Sequence, residues 1–244
     1  MFTRQQIEKF LFLDIETAPA KAEFAELDEE MQLFWEKKAR QYYKVGPQAE
    51  FDVASAYVEK AAFFSEFNRV VCVAFGYIRW VDDQPLAHLQ SFCEFDEKDV
   101  LLKTQQLLSQ PRTQDYTLCG HNIKEFDCPV LARRMLIHGI LPLPRQLNNY
   151  GKKPWEIPHV DTMELWRFGE MKNHTSLALL ARLFNIPSPK ADMDGSQMFQ
   201  LYWRERNLPK IKEYCEGDVR ATMNLVLRLS GMPLLRAGVH PRLL

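Results

Sequence analysis

The sequence predicts an α/β fold in which a mixed β-sheet is flanked by helices. The first indication is a set of short apolar runs, rich in β-branched and aromatic residues, that are typical of buried strands: 10–13, 70–78, 86–92 and 116–119. The second is a series of amphipathic segments with helix-capping residues between residues 96 and 229. Three strands, a helix, a strand and then further helices make an α/β layer architecture.

The strands are bounded by turn signals. Asp82–Pro85 is a turn sequence between the second and third strands, so the first three strands predict an antiparallel meander. Gly120 closes the fourth strand, and Val160 ends a last short strand. The segment 141–158 between them is rich in proline and asparagine and predicts a loop.

The helices are predicted from capping residues and apolar periodicity. Asp96 begins one helix, and Asp161 begins another with Glu164 at capping-box spacing. Asp161 is therefore expected to have a structural role. The remaining helices are predicted over 126–138, 176–184, 196–206 and 208–229.

About 50 residues between the first two strands belong to neither of them. Helical patterns over 28–43 and 52–64 predict a helical insertion at about 18–66, packed beside the sheet. Within it, Phe34, Trp35 and Tyr42 are expected to be core residues rather than a base-stacking surface. The whole chain, 1–244, is interpreted as a single domain.

Composition excludes several classes of protein. A net charge of −1 excludes a polybasic protein that holds nucleic acid by bulk electrostatics. The glycines form no G-x-G, P-loop or G-x-S-x-G pattern, so Rossmann, P-loop and nucleophile-elbow sites lack local support. Five cysteines without C-x-x-C spacing, and apolar runs too short to span a bilayer, predict a cytoplasmic protein without a membrane segment.

Three separate segments carry carboxylates at positions that a sheet edge can bring together. Asp14 and Glu16 end the first strand and share one of its faces. Asp127 lies at or near the N-cap of a helix. Tyr214 and Asp218 are four residues apart in the last helix, on one face, beside a glycine that the helix would otherwise avoid.

Each of these segments has a plain structural interpretation when it is taken alone. If they converge, four carboxylates and a phenol form an oxygen-only ligand set that suits Mg²⁺ or Mn²⁺. Two such ions about 4 Å apart promote in-line displacement at phosphorus, and the phenol can orient the attacking water. The residues then predict a phosphodiester hydrolase, although sequence spacing does not establish convergence.

The motifs Asp14-x-Glu16, Asn122-x-x-x-Phe126-Asp127 and Tyr214-x-x-x-Asp218 resemble the three motifs of the DEDD superfamily of 3′–5′ exonucleases, in its tyrosine subgroup. The resemblance is closest to the stand-alone predicted exonucleases related to the proofreading domain of family-B DNA polymerases. It extends over residues 9–230, including segments at Phe67–Ala74, Ser176–Ala181 and Lys190–Ser196. The helical insertion and the lack of an attached polymerase domain depart from the polymerase pattern.

This resemblance implies a ribonuclease-H-like fold and release of 5′-mononucleotides from a single-stranded 3′ end, with DNA expected as the substrate. It implies two Mg²⁺ or Mn²⁺ ions as cofactors and single-stranded nucleic acid as the partner. The implied catalytic and metal-binding residues are Asp14, Glu16, Asp127 and Asp218, with Tyr214 orienting the nucleophilic water. The implied substrate-binding residues are Thr17, Asn122 and Phe126.

Other interpretations stay open. A 3′–5′ exoribonuclease uses the same chemistry, because nothing in the sequence reads a 2′-hydroxyl. A catalytically silent nucleic-acid-binding module is a second alternative, and a domain whose acids are only helix caps is a third. Lys152, Lys153 and Trp155 combine charge with an aromatic ring, but a solvated loop is the favoured interpretation.

Overall fold

A mixed sheet of five strands forms the centre of the computed structural model, which describes residues 1–170, 174–187 and 195–236. The strands are β1 (Phe10–Pro19), β2 (Asn68–Val81), β3 (Gln84–Cys93), β4 (Thr117–Gly120) and β5 (Val160–Asp161). Their order across the sheet is β3-β2-β1-β4-β5. The first three strands are antiparallel, whereas β4 runs parallel to β1 and β5 parallel to β4. The predicted meander is confirmed.

Helices cover both faces of this sheet and build the insertion. They are α1 (Arg4–Ile7), α2 (Glu29–Tyr43), α3 (Val53–Lys60), α4 (Glu97–Leu108), α5 (Pro111–Gln114), α6 (Asp127–Ile137), α7 (Thr162–Arg167), α8 (Leu177–Leu183), α9 (Gly195–Phe199) and α10 (Leu208–Leu229). Short 3₁₀ turns lie at Phe24–Glu26, Ala61–Phe63 and Pro154–Glu156, and a π-helical turn at Gln200–Arg204 follows α9. Lys190 and Asp194 lie outside the described residues.

The central strand β1 divides the core in two because its side chains alternate between the faces of the sheet. Phe10, Phe12 and Ala18 pack with apolar residues of α10 on one face. Leu11, Leu13 and Ile15 pack with α4 and α6 on the other. The continuous apolar run at the start of β1 is therefore explained by burial on both sides.

The strand β1 is longer than the apolar run that predicts it. Backbone pairing with β2 continues past the acids to Pro19, which lies opposite Asn68, with an irregularity between Glu16 and Thr17. Tertiary pairing here outweighs the low strand propensity of acidic residues. On its other side, β1 pairs with β4 only over Phe10–Phe12. Asp14 thus lies just beyond the point where the described pairing between β1 and β4 ends.

The insertion has a small core of its own around Trp35, Tyr57 and Phe67. The expectation that Phe34 and Tyr42 are core residues is wrong, since the two side chains are 53% and 52% exposed. Trp35 and Ala39, one turn apart, form the buried face of α2, and Phe34 points about 100° away from it.

The N-terminal helix α1 was not predicted, although its signal is present. Thr3 accepts from the backbone N–H of Gln6, and the Gln6 side chain accepts from that of Thr3, which is a capping box. At α7 the predicted capping box is wrong. Asp161 does cap Met163, but Glu164 accepts from Lys124 Nζ at 2.7 Å, because a cation lies within its reach.

No helix within the described part of the chain is both long and apolar enough to cross a membrane.

Candidate active site

Asp14 and Glu16 point from β1 toward α10. They alternate with Leu13 and Ile15, whose side chains enter the core beneath α4 and α6. Both carboxylates are partly buried. The two acids therefore lie on the same face of the sheet, as their spacing predicts.

Asp127 approaches β1 from the first turn of α6. Its Oδ1 accepts from the backbone N–H of Ile15 at 3.1 Å, and its side chain is only 4% exposed. The N-cap position itself is occupied by Phe126, which makes no side-chain capping bond. Asp127 is thus attached to the strand between Asp14 and Glu16, a contact between residues 112 positions apart in the chain.

The helix α10 brings the third segment to the same place. It packs on β1, β2 and β3, and its buried Cys215 thiol lies 3.4 Å from both the backbone oxygen and Oδ2 of Asp14. Burial, followed by the charges of Asp14 and Glu16, raises the pKa of this thiol. The neutral thiol donates to Asp14, and α10 is thereby fixed with Tyr214 and Asp218 on either side of Cys215 along the helix.

Burial and the charges of neighbouring carboxylates raise the pKa values of Asp14, Glu16 and Asp127. Burial raises the pKa of Asp14 well above 3.8, and the charges of Asp218, Glu16 and Asp127 raise it further. Burial likewise raises the pKa of Glu16, with Asp218 and Asp127 adding to it.

The pKa of Asp127 is also raised mainly by burial, but hydrogen bonds to its carboxylate act in the opposite direction. This pKa is raised to about 7 despite the hydrogen bonds from the backbone N–H groups of Asp127 and Ile15, which lower it. The nearby charges of Asp161 and Asp218 raise it again. Four acids that repel one another in a partly buried site favour a ligand that neutralises them.

The donor set fits hard divalent cations. An oxygen of Asp14, an oxygen of Glu16 and the sulfur of Cys215 lie within 4.8 Å of one another, close enough to surround one ion. Because the thiol stays protonated, the ligand atoms available are carboxylate oxygens, which suit Mg²⁺ or Mn²⁺. The sequence places Cys215 close to the proposed acids but predicts it only as a small packing residue; its thiol in fact also donates to Asp14.

The three predicted substrate-binding residues belong to the segments that carry these acids: Thr17 follows Glu16, Phe126 precedes Asp127, and the backbone oxygen of Asn122 accepts from the N–H of Phe126 at 3.0 Å. Asn122 has a positive φ of 62°, and its backbone N–H donates to Asp161 Oδ1 at 2.9 Å. Phe126 directly precedes Asp127. The Thr17 hydroxyl donates to the backbone oxygen of Ala62 at 2.8 Å, so its proton is directed to the insertion and not to a substrate. In this structure the hydroxyl proton of Thr17 is therefore not available to donate to a substrate.

Asp161 has the structural role that was expected of it. Its carboxylate accepts from the backbone N–H groups of Asn122, Lys124 and Met163. These bonds join the start of α7 to the loop that leads into Asp127. Asp161 thus stabilises the loop behind the acids.

The mutual repulsion predicts a stability effect without any substrate. In chelator at pH 8, Glu16→Gln should raise the free energy of unfolding by about 0.5–2 kcal/mol, because one repelling charge is removed. A raised folded pKa means that the folded state binds more protons than the unfolded state above pH 4.5, so wild-type stability falls as pH rises. The gain should therefore disappear near pH 4, where both states are protonated.

Thermal and urea melts at the two pH values check this, with Glu213→Gln as the exposed-acid control on α10. Saturating Mn²⁺ should shrink the difference, because wild type gains more binding energy. If Glu16→Gln is less stable than wild type at pH 8 in chelator, the carboxylates do not repel one another in the folded protein.

Comparisons with known proteins identify the family and the fold of the chain. Residues 63–234 match a family described as a predicted 3′–5′ exonuclease related to the exonuclease domain of PolB. Among solved structures, the chain is similar to the family B DNA polymerase from the hyperthermophilic archaeon Pyrobaculum calidifontis, with a TM-score of 0.53 and 16% identity. That similarity covers 91% of this chain and 24% of the polymerase, so the chain spans about a quarter of the polymerase's length.

The structural similarity confirms the predicted ribonuclease-H-like fold, a mixed sheet flanked by helices. No curated protein matches the chain significantly. The family match covers more than half of the chain, and the chain therefore belongs to the family of predicted 3′–5′ exonucleases related to the exonuclease domain of PolB.

Proposed function

We propose that this enzyme hydrolyses phosphodiester bonds from single-stranded 3′ ends, with DNA as its substrate, and releases 5′-mononucleotides. The observation that carries the proposal is the closeness of three acids, Asp14, Glu16 and Asp127, whose pKa values are all raised by burial and by the charge of Asp218. The similarity of the fold to a DNA polymerase supports DNA as the first substrate to test.

The four carboxylates would bind two Mg²⁺ or Mn²⁺ ions. Bound there, the ions supply Lewis-acid stabilisation of the charge that develops on the phosphate and on the leaving oxygen. The protein contributes the placement of the ligands: Cys215 holds Asp14, and the Ile15 N–H holds Asp127. Such fixed ligands reduce the reorganisation that the reaction needs.

In this mechanism Tyr214 orients the attacking water. It lies one helical turn before Asp218, so the two side chains share one face of α10. The water oxygen attacks phosphorus, the bond from phosphorus to the 3′-oxygen breaks, and that oxygen takes up a proton as the water loses one.

The proposal predicts a specific effect of removing the phenolic oxygen. Tyr214→Phe keeps the ring and should leave Mn²⁺ binding nearly unchanged, while kcat falls by about 10–10³-fold. Isothermal titration with Mn²⁺ and single-turnover hydrolysis check the two parts. A variant with the wild-type rate would make Tyr214 a packing residue only.

The direct test of the function follows the products of defined substrates. Labelled 3′-overhang DNA and RNA of equal sequence are incubated with Mg²⁺ or Mn²⁺, and the products are resolved over time. We expect a ladder that shortens from the 3′ end, faster for DNA, and slower when the 3′ end carries a phosphate. Internal nicks in circular single-stranded DNA would contradict the exonuclease, and faster degradation of RNA would favour the exoribonuclease alternative.

The cytoplasmic location is also a proposal. All five cysteines are free thiols, as expected in a reducing compartment.

A further inference from the structure

The insertion places a short turn directly against the strand of the candidate active site. In this 3₁₀ turn, Ala61–Phe63, the backbone oxygen of Ala62 accepts from the Thr17 hydroxyl at 2.8 Å and from Asn68 Nδ2 at 2.9 Å. Both donors belong to β strands, and both are buried. Two bonds to one carbonyl therefore fix the turn beside the end of β1 that carries Glu16.

The last residue of this turn, Phe63, presents a large apolar ring to solvent. The side chain is 51% exposed, and its ring centroid lies 6.2 Å from that of Phe126, with the planes at 58°. Phe126 itself packs partly into the core beneath α6. The two rings form an aromatic pair next to Asp127, in which Phe126 is partly buried and Phe63 is exposed.

A cation lies over the open ring. Lys60 Nζ is 5.4 Å from the centroid of Phe63. A cation–π contact at an exposed site strengthens an interaction by a factor of only about two to five. A base stacked on an aromatic side chain strengthens binding by about 5- to 150-fold. A base can therefore displace the Lys60 ammonium group from the ring, and the ammonium group can then bind a phosphate of the same strand.

We propose that Phe63 is a base-stacking residue for single-stranded nucleic acid in the candidate active site, with Lys60 bound to a neighbouring phosphate. The insertion thereby supplies a substrate subsite that the metal-binding motifs do not contain. Thr17 is its positioning residue, because it holds the turn in place. This inference rests on the proposed function, which supplies the nucleic acid strand.

The chain offers a matched control. Phe34 is also a phenylalanine of the insertion and is 53% exposed, but it lies on α2, which packs on α3. If only the loss of exposed apolar surface mattered, replacement by alanine would change binding equally at Phe34 and Phe63. Stacking near the acids affects only Phe63.

The test is a double-mutant cycle between the ring and the base. A fluorescent single-stranded DNA is titrated with enzyme in Ca²⁺, and each of the five 3′-terminal bases is replaced in turn by an abasic unit. We expect removal of one particular base to weaken binding to wild type by about 5- to 150-fold. Phe63→Ala should weaken binding of the intact strand similarly and show no further loss at that position.

The remaining variants separate stacking from other effects. In Phe63→Trp, removal of that particular base should again weaken binding, because tryptophan also stacks on a base. Phe34→Ala should bind every strand like wild type. Lys60→Gln should weaken binding of the intact strand and of every abasic strand alike. It should also reduce the slope of log affinity against log salt concentration by about one.

Two results overturn the inference in distinguishable ways. If wild type hydrolyses DNA but Phe63→Ala shows the same losses as Phe34→Ala, the stacking subsite is wrong and the proposed function stands. If wild type neither binds nor hydrolyses single-stranded DNA or RNA, the proposed function and the subsite fail together.

Discussion

We expect Asp14→Asn to reduce hydrolysis of single-stranded 3′ ends by about 10³-fold or more. The charges of Asp218, Glu16 and Asp127 all raise the pKa of Asp14, so its carboxylate lies within reach of the three other acids. Loss of a ligand there removes several kcal/mol of electrostatic stabilisation from the transition state, and each 1.4 kcal/mol is about a factor of ten. Single-turnover rates over a Mg²⁺ titration measure the loss.

Asp161→Asn is the matched control for this result. Asp161 is a buried acid at the end of β5, two strands away from β1, but its oxygens accept three backbone N–H groups. Its amide variant loses the bond from Lys124 and should lower the melting temperature, while turnover falls less than tenfold. The Mg²⁺ midpoint should shift only slightly, because Asp161 acts on Asp127 through its charge and is not a proposed ligand. Equal losses in the two variants would mean that Asp14 acts on folding and not on the reaction.

Binding separates the role of Asp14 further. In Ca²⁺, Asp14→Asn should retain most of its affinity for single-stranded DNA, since backbone contacts and stacking do not depend on this carboxylate. The melting-temperature increase that Mn²⁺ produces in wild type should be largely lost in the variant.

Much of the candidate site follows from spacing alone. Residues two apart in a strand, and four apart in a helix, share a face in any fold, and this places Asp14 with Glu16 and Tyr214 with Asp218. Which faces meet depends on contacts far apart in the chain. The bond between Ile15 and Asp127 is one of them, and no local pattern predicts it.

The parts that the sequence missed depend on tertiary packing. The length of β1 comes from its partner β2. The aromatic residues of α2 look alike in sequence, yet only Trp35 is buried, because α3 covers one side of the helix. Phe63 lies within a stretch predicted as continuous helix, and its position over Phe126 arises where α3 gives way to a 3₁₀ turn.

A buried ion pair beneath the sheet was also missed, and its loss should have the largest effect on stability. Glu97, 3% exposed, forms two hydrogen bonds with the guanidinium of Arg134 and accepts from the backbone N–H of Val70. Arg134 also donates to the backbone oxygen of Ser65 at the end of the insertion. The pair therefore connects α4, α6 and the start of β2.

Glu97→Gln should lower the free energy of unfolding by about 3–5 kcal/mol, because it leaves the buried Arg134 without its counter-charge. Glu94→Gln is the control: Glu94 pairs with Lys103 at 2.6 Å, but both side chains are more than 40% exposed, so its loss should be about 0–1 kcal/mol. Urea melts at pH 7 compare the two variants. Similar small losses in both would mean that the buried pair contributes no more than a surface pair.

The pH dependence of Glu97→Gln gives the same argument an independent test. Burial raises the pKa of Glu97, but the hydrogen bonds and charge of Arg134, with Val70 and His138, outweigh it, and the pKa lies below 4.5. The unfolded state then binds more protons in acid, so this stabilisation is complete above about pH 4.5 and is lost as pH falls through the folded pKa. The difference between wild type and Glu97→Gln should therefore shrink in acid. Asp14, Glu16 and Asp127 have raised pKa values, so they destabilise the metal-free protein as pH rises toward 7. Wild type in chelator should therefore be most stable near pH 4.5 and lose stability as pH rises from there toward 7.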